Sequence, residues 1–153
     1  MNNILSRLEE LGLKLPETSI PIASYIVAKK SGNLIFTSGQ LPLVNGELHS
    51  KGVLGIDVEI PVAQEAAKIC VLNALAAVRT IITDLDSISS VVRVVGYVAS
   101  APTFTSQPSV VNGASELLLE IFGEKGKHAR SAVGVAALPL GAPVEIELTV
   151  EIV

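Results

Sequence analysis

Close to its end the sequence reads Val144-Glu145-Ile146-Glu147-Leu148-Thr149-Val150-Glu151. Strict apolar–polar alternation marks a β-strand, because successive side chains leave a strand on opposite sides. Val144, Ile146, Leu148 and Val150 share one face, and Glu145, Glu147, Thr149 and Glu151 share the other. A sheet built on this strand has one face to bury and one it can leave polar.

Two segments can do the burying. Residues 60–83 predict a helix that starts near Pro61, where a missing N–H costs nothing. Its periodic stripe is Ala66, Ile69, Cys70, Asn73, Ala76, Ala77 and Thr80, thickened by Val62 and Leu72. Residues 107–122 predict a second helix, with Val110, Val111, Ala114, Leu117, Leu118, Ile121 and Phe122 inward and Gly123 as its stop.

Further strands are expected at 22–30 and 33–38, about the tight turn Ser31-Gly32-Asn33. The β-branched run at 88–99 is another. The last two, 129–137 and 143–152, are joined through Pro139-Leu140-Gly141. Residues 3–12 read as a short amphipathic helix carrying Ile4, Leu5, Leu8 and Leu11, and residues 41–58 as a loop with a turn at Asn45-Gly46. Strands and helices mix without strict alternation, so the class is α+β, with the helices on one sheet face. At 153 residues one domain is expected, residues 1–19 forming an N-terminal helical extension.

Composition narrows the function. There are 11 basic and 15 acidic residues, and aromatic residues make up 3% of the chain. Nucleic-acid binding draws on Lys, Arg and stacking rings, so this composition argues against it. Charged residues are 17% of the total, against about 25% in a typical domain, while 49% are hydrophobic. Some surface must therefore be apolar, which predicts a homo-oligomer. Cys70, the only cysteine, reads as a buried structural thiol on a helix face. The first residues, with Glu9 and Glu10, do not form a signal peptide, and no apolar run approaches the roughly 20 residues of a membrane helix. The expected compartment is the cytoplasm.

One charge is oddly placed. In Ala129-Arg130-Ser131-Ala132-Val133-Gly134-Val135, strand geometry puts Arg130 on a face with Ala132 and Gly134. Small neighbours leave room about the guanidinium, whose planar fork suits a carboxylate. If the last two strands form a hairpin, Glu145 approaches this strand and a cross-strand ion pair is the alternative. Ser38-Gly39-Gln40 closes another strand and either offers backbone N–H groups to an anion or is an ordinary turn. His128 lies two residues before Arg130 and could share its face. His49 and His128 lack metal-ligand spacing, and no P-loop, G-x-S-x-G or G-x-G-x-x-G occurs.

Three segments taken together carry a resemblance. Leu34-Ile-Phe-Thr-Ser-Gly-Gln40, the strand around Val91-Val92-Arg93-Val94, and Ala129-Arg-Ser-Ala-Val-Gly-Val135 with Leu138-Pro139 and Val144-Glu-Ile-Glu147 occur in that order. The chain thereby resembles the RidA/YjgF family, long labelled endoribonuclease L-PSP, over roughly residues 20–153. Gly126-Lys127-His128 and the extra N-terminal helix are similar to a divergent subgroup.

The resemblance implies a chorismate-mutase-like (YjgF-type) α+β subunit, a mixed sheet with two main helices on one face. It implies a homotrimer whose sheets make a central barrel, with clefts between neighbours. Its implied chemistry is hydrolysis of amino-acid-derived imines or enamines to 2-oxo acids and ammonia, without metal or organic cofactor. In that setting Arg130 matches the carboxylate-binding arginine and Glu145 the glutamate that positions water. Tyr25, Ser38, Gly39 and Asn112 match cleft contacts, with Asn112 one residue out of the family interval. The family's usual cysteine and acidic residue are here Ala132 and Gly134. A non-catalytic carboxylate-binding or regulatory protein is the alternative, and an endoribonuclease a lesser one.

Overall fold

The computed structural model describes residues 3–18 and 23–153. The alternating segment forms β7 (Val144–Ile152), the central strand of a five-stranded sheet ordered β1-β2-β7-β5-β6. Its companions are β1 (Ala28–Ser31), β2 (Leu34–Thr37), β5 (Ile88–Ala99) and β6 (Ala129–Val135). Helices α2 (Ile60–Val78) and α3 (Gln107–Phe122) cover one face, α2 over β7 and β2, α3 over β5 and β6. As the alternation requires, Val144, Ile146, Leu148 and Val150 are buried beneath the helices, while Glu151 on the other face is exposed.

β6 is not the hairpin partner of β7. It pairs parallel with β5, which lies between them. The β5–α3–β6 segment is a crossover unit, and a parallel strand needs such a long connection. β7 instead inserts between β5 and β2, antiparallel to both. The expected approach of Glu145 to the Arg130 strand therefore does not occur. Local periodicity cannot reveal this, because strand order is set by which helix packs where.

Other boundaries shift modestly. The first strand begins at Ala28 rather than residue 22, which lies outside the described residues. The loop at 41–58 contains a two-stranded ribbon, β3 (Leu43–Val44) and β4 (Glu47–Leu48), turned at Asn45 and Gly46 with φ of 51° and 83°. That is the left-handed backbone for which Asn-Gly is suited.

The buried face of α2 is rotated from the expected stripe. Ala63, Ala66, Ala67, Cys70, Val71, Ala74, Leu75, Ala77 and Val78 are buried, whereas Val62 is exposed. The small residues let α2 approach α3 closely: a Cβ on Gly113 of α3 would lie 2.3 Å from the Gln64 carbonyl oxygen. Ile60–Val78 is long and apolar enough by composition to cross a membrane, but half of it is buried inside this core, as in the core helix of a folded domain. Cys70 is fully buried, and burial pushes its thiol well above the ordinary range. Such a thiol is inert filler.

At the end of the β2–β7 pairing a buried side chain is used. Thr37 Oγ1 accepts from the Leu148 N–H at 3.0 Å. Thr37→Val keeps the shape and strands that N–H. Its expected cost is about 1–3 kcal/mol, read as a lower urea midpoint at unchanged slope.

The leading helix α1 (Ile4–Glu10) is capped by Asn3 and buries Leu8. Arg7 Nε donates to the Glu120 carbonyl of α3, and the Ile4 N–H to Asp86. From there residues 13–18 run toward α2, where Thr18 Oγ1 donates to the Ala76 carbonyl.

Candidate functional site

The six residues singled out from sequence fall into two groups. Tyr25, Ser38, Gly39 and Glu145 line one cleft of about 510 Å³, together with residues 16–18, Gln40, Asn45 and Asn73. Arg130 and Asn112 lie apart from it, at the α3–β6 edge.

The cleft sits where β2 ends. The Ser38 N–H is taken by the Val27 carbonyl and the Gln40 N–H by the Ile146 carbonyl. The Gly39 N–H between them has no acceptor among the described residues. Glu145 lies directly against this glycine: a Cβ there would sit 2.7 Å from its carboxyl carbon. Any side chain at residue 39 would push the carboxylate away. Asn73 Nδ2 donates to the carbonyls of Leu41 and Leu43 and so pins the loop that walls the cleft. Sequence periodicity assigned Asn73 to a helix stripe, and only the loop's fold-back reveals its use.

Glu145 has no cation within ion-pairing distance among the described residues. Burial, and secondarily the Glu147 charge, hold its carboxyl above the usual range. Its folded state therefore binds a proton more readily than the unfolded chain. This raised acid favours folding below its ordinary pKa and loses that contribution as pH rises through the folded value. Glu145→Gln is expected to raise the thermal midpoint at pH 7–8, with the gain vanishing below about pH 4. A fall instead would show that a neighbouring chain brings a cation onto Glu145.

Arg130 is held from one side. Its Nη1 donates to Asn112 Oδ1 at 2.8 Å and to Ser115 Oγ at 3.2 Å. Both hydrogens of Nη1 are thus used, whereas Nη2 and Nε have no partner among the described residues. No carboxylate pairs with it there. The space beside it is narrower than the small residues suggested, because the Gln107 amide reaches within 2.8 Å of where a Gly134 Cβ would stand.

Register places the two groups on opposite sides of the sheet. Arg130 is aligned with Val94 and, one strand further, Leu148, on the helix face. Glu145 is aligned with Tyr97 and Val133, on the face without helices. That face also shows Phe36 and Val133, each 43% exposed. Within one chain, Arg130 and Glu145 cannot meet on one ligand.

A mixed five-stranded sheet with two helices on one face, an open apolar-edged face, and an arginine and a glutamate without an ion pair among the described residues defines the class of α+β chains to which comparison points. The family model described as "YjgF/chorismate_mutase-like, putative endoribonuclease" matches residues 5–152, and the chain belongs to that family. It is 41% identical to Protein TCP17 of Trypanosoma cruzi, over 97% of this chain and 94% of that one. It is 32% identical to the RutC family protein y4sK of Sinorhizobium fredii, over 86% and 89%. Among solved structures, Atu1372 of Agrobacterium tumefaciens, of unknown function, superposes with a TM-score of 0.92 at 46% identity, covering 98% of this chain and 92% of that one.

Proposed function

We propose that this chain hydrolyses small amino-acid-derived 2-imino acids, with Arg130 binding the substrate carboxylate and Glu145 orienting the attacking water. The observation that carries this is the half-saturated guanidinium: Nη1 is fixed by Asn112 and Ser115, and among the described residues the Nη2–Nε edge is open. A fixed fork with two free parallel donors matches a carboxylate.

The opposite-face placement of Glu145 makes a second copy part of the proposal. In a homotrimer whose sheets form a barrel, the arginine edge of one chain would lie across from the Glu145 cleft of the next, with the ligand between the two side chains and no direct ion pair. The exposed Phe36 and Val133 are the kind of surface such packing covers. A protonated imine is already electrophilic, so the proposed reaction needs neither metal nor organic cofactor. A cytoplasmic setting, where such imines arise, belongs to the same proposal.

The test is pyruvate release from 2-iminopropionate generated in situ, with light scattering on the same sample. A monomer, or a rate equal to that without protein, would sink the reading. Ala132 and the Gln107-filled space at Gly134 favour a second reading, a non-catalytic carboxylate-binding protein. Calorimetry showing 2-oxo acid binding without turnover would select it.

A further inference from the structure

The chain that leaves α1 is aimed. Gly12 takes a φ of 70°, its N–H donates to the Glu9 carbonyl, and the Leu13 N–H donates to the Leu8 carbonyl. This pair of bonds ends a helix on a left-handed glycine and turns the chain away. Leu13 and Leu15 then pack against the core. Pro16, Glu17 and Thr18 arrive at the cleft and line it. The far end is tied too. Ala76 lies in the last turn of α2, where carbonyls lack a helical partner. The Thr80 N–H goes to the Ala77 carbonyl, and Thr18 Oγ1 donates to the Ala76 carbonyl at 2.9 Å. Residues 13–18 are thus a strap fixed at both ends.

What the strap brings is a charge. Among the described residues the charged ones that line the cleft are Glu17 from the strap and Glu145 from β7, both carboxylates. Residues 19–22, next in the sequence, are Ser-Ile-Pro-Ile and add no cation. The raised carboxyl of Glu145 agrees: burial and the Glu147 charge act on it, and no cation among the described residues offsets them. A cavity of 510 Å³ is about 10 Å across, no wider than the Debye length at 0.1 M salt. Every group inside it therefore feels Glu17, whether or not the two touch. One anion can be accommodated, the carboxylate that Arg130 of a neighbouring copy would neutralise. A second anion on the same ligand would meet only like charge.

We propose that Glu17 is a specificity-determining residue, placed in the cleft by the strap, that turns away imino acids whose side chain carries a second carboxylate. The substrate class narrows to 2-imino acids with neutral or cationic side chains. This rests on the reading of the cleft as the place where Glu145 meets a ligand held by Arg130. Thr18 is a positioning residue that acts by keeping the strap, and so Glu17, where it is.

The experiment compares two imino acids of equal chain length generated in situ, one from glutamate and one from methionine. kcat and KM are measured for both with wild type, Glu17→Gln, Thr18→Val and Glu9→Gln, the last changing an exposed carboxylate on α1 that does not line the cleft. Wild type should prefer the methionine-derived compound. Glu17→Gln should lower that preference in kcat/KM by about fivefold, the upper end for one solvent-exposed charge, through a lower KM for the glutamate-derived compound. Thr18→Val should lower it too, by less. Glu9→Gln makes the same change in net charge and should not. An unchanged preference in Glu17→Gln overturns the proposal. So does an equal fall in Glu9→Gln, which would mean overall charge and not the strap. A wild-type preference in Thr18→Val overturns the positioning role of Thr18. The same comparison by calorimetry, with 2-oxoglutarate and 4-methylthio-2-oxobutanoate, needs no turnover. If wild type hydrolyses neither imine but the affinity ratio falls in Glu17→Gln, the hydrolase reading fails and the role of Glu17 stands. Binding of neither oxo acid, with no turnover, overturns both.

Discussion

Arg130→Ala is expected to lower kcat/KM for 2-iminopropionate by about 100-fold or more. Each hydrogen bond to a charged group is worth about 1.5–3 kcal/mol, so losing two costs at least about 3 kcal/mol. Arg130→Lys should recover only a small part, because an ammonium keeps the charge but not the planar fork. Asn112 and Ser115 hold Nη1, and they would have nothing comparable to orient on a lysine. The folded state should change little in either variant, since Arg130 lies on an edge strand and makes no ion pair among the described residues. Pyruvate release by Arg130→Ala at the wild-type rate, with an unaltered melting curve, would refute the anchor.

Gly113→Ala should be the most damaging single methyl in the core. The added Cβ would lie 2.3 Å from the Gln64 oxygen and 2.9 Å from its carbonyl carbon, all backbone atoms of α2. Backbone cannot swing aside as a side chain can, so α2 and α3 must part. Overpacking costs about 1–3 kcal/mol, and the upper end is expected here. At about 2–4 °C per kcal/mol for a chain of this size, the thermal midpoint should fall by about 6–12 °C. Gly134→Ala meets the flexible Gln107 amide instead and should fall by far less. Gly113 also lies between Asn112 and Ser115, so a displaced α3 carries the arginine's two partners with it. A raised KM for 2-iminopropionate should accompany the loss of stability.

Much of the fold is legible in local pattern. The run at 88–99 is one strand with the expected bounds, and α3 buries all seven of the apolar residues expected inward. The periods involved, two and near 3.6, are properties of single elements and need no tertiary context. The stripe on α2 was misplaced because an alanine-rich helix has little contrast between its faces. Which face is buried there follows from where Gly113 permits contact, not from hydropathy.

The candidate site divides along the same line. Arg130, Glu145, Tyr25, Ser38, Gly39 and Asn112 are visible by motif, and residue order alone determined that they are present. Only the tertiary structure decided that Arg130 and Glu145 face opposite ways, because the register of β6 and β7 on β5 sets the faces, and that register depends on non-local packing. The structure likewise joined Ser115 to His128, thirteen residues later, through the turn that Gly126 allows. Alternation in the sequence assigns each side chain to a face of its own strand. What lies across from that face is settled by contacts between distant segments, and those exist only once the chain has folded.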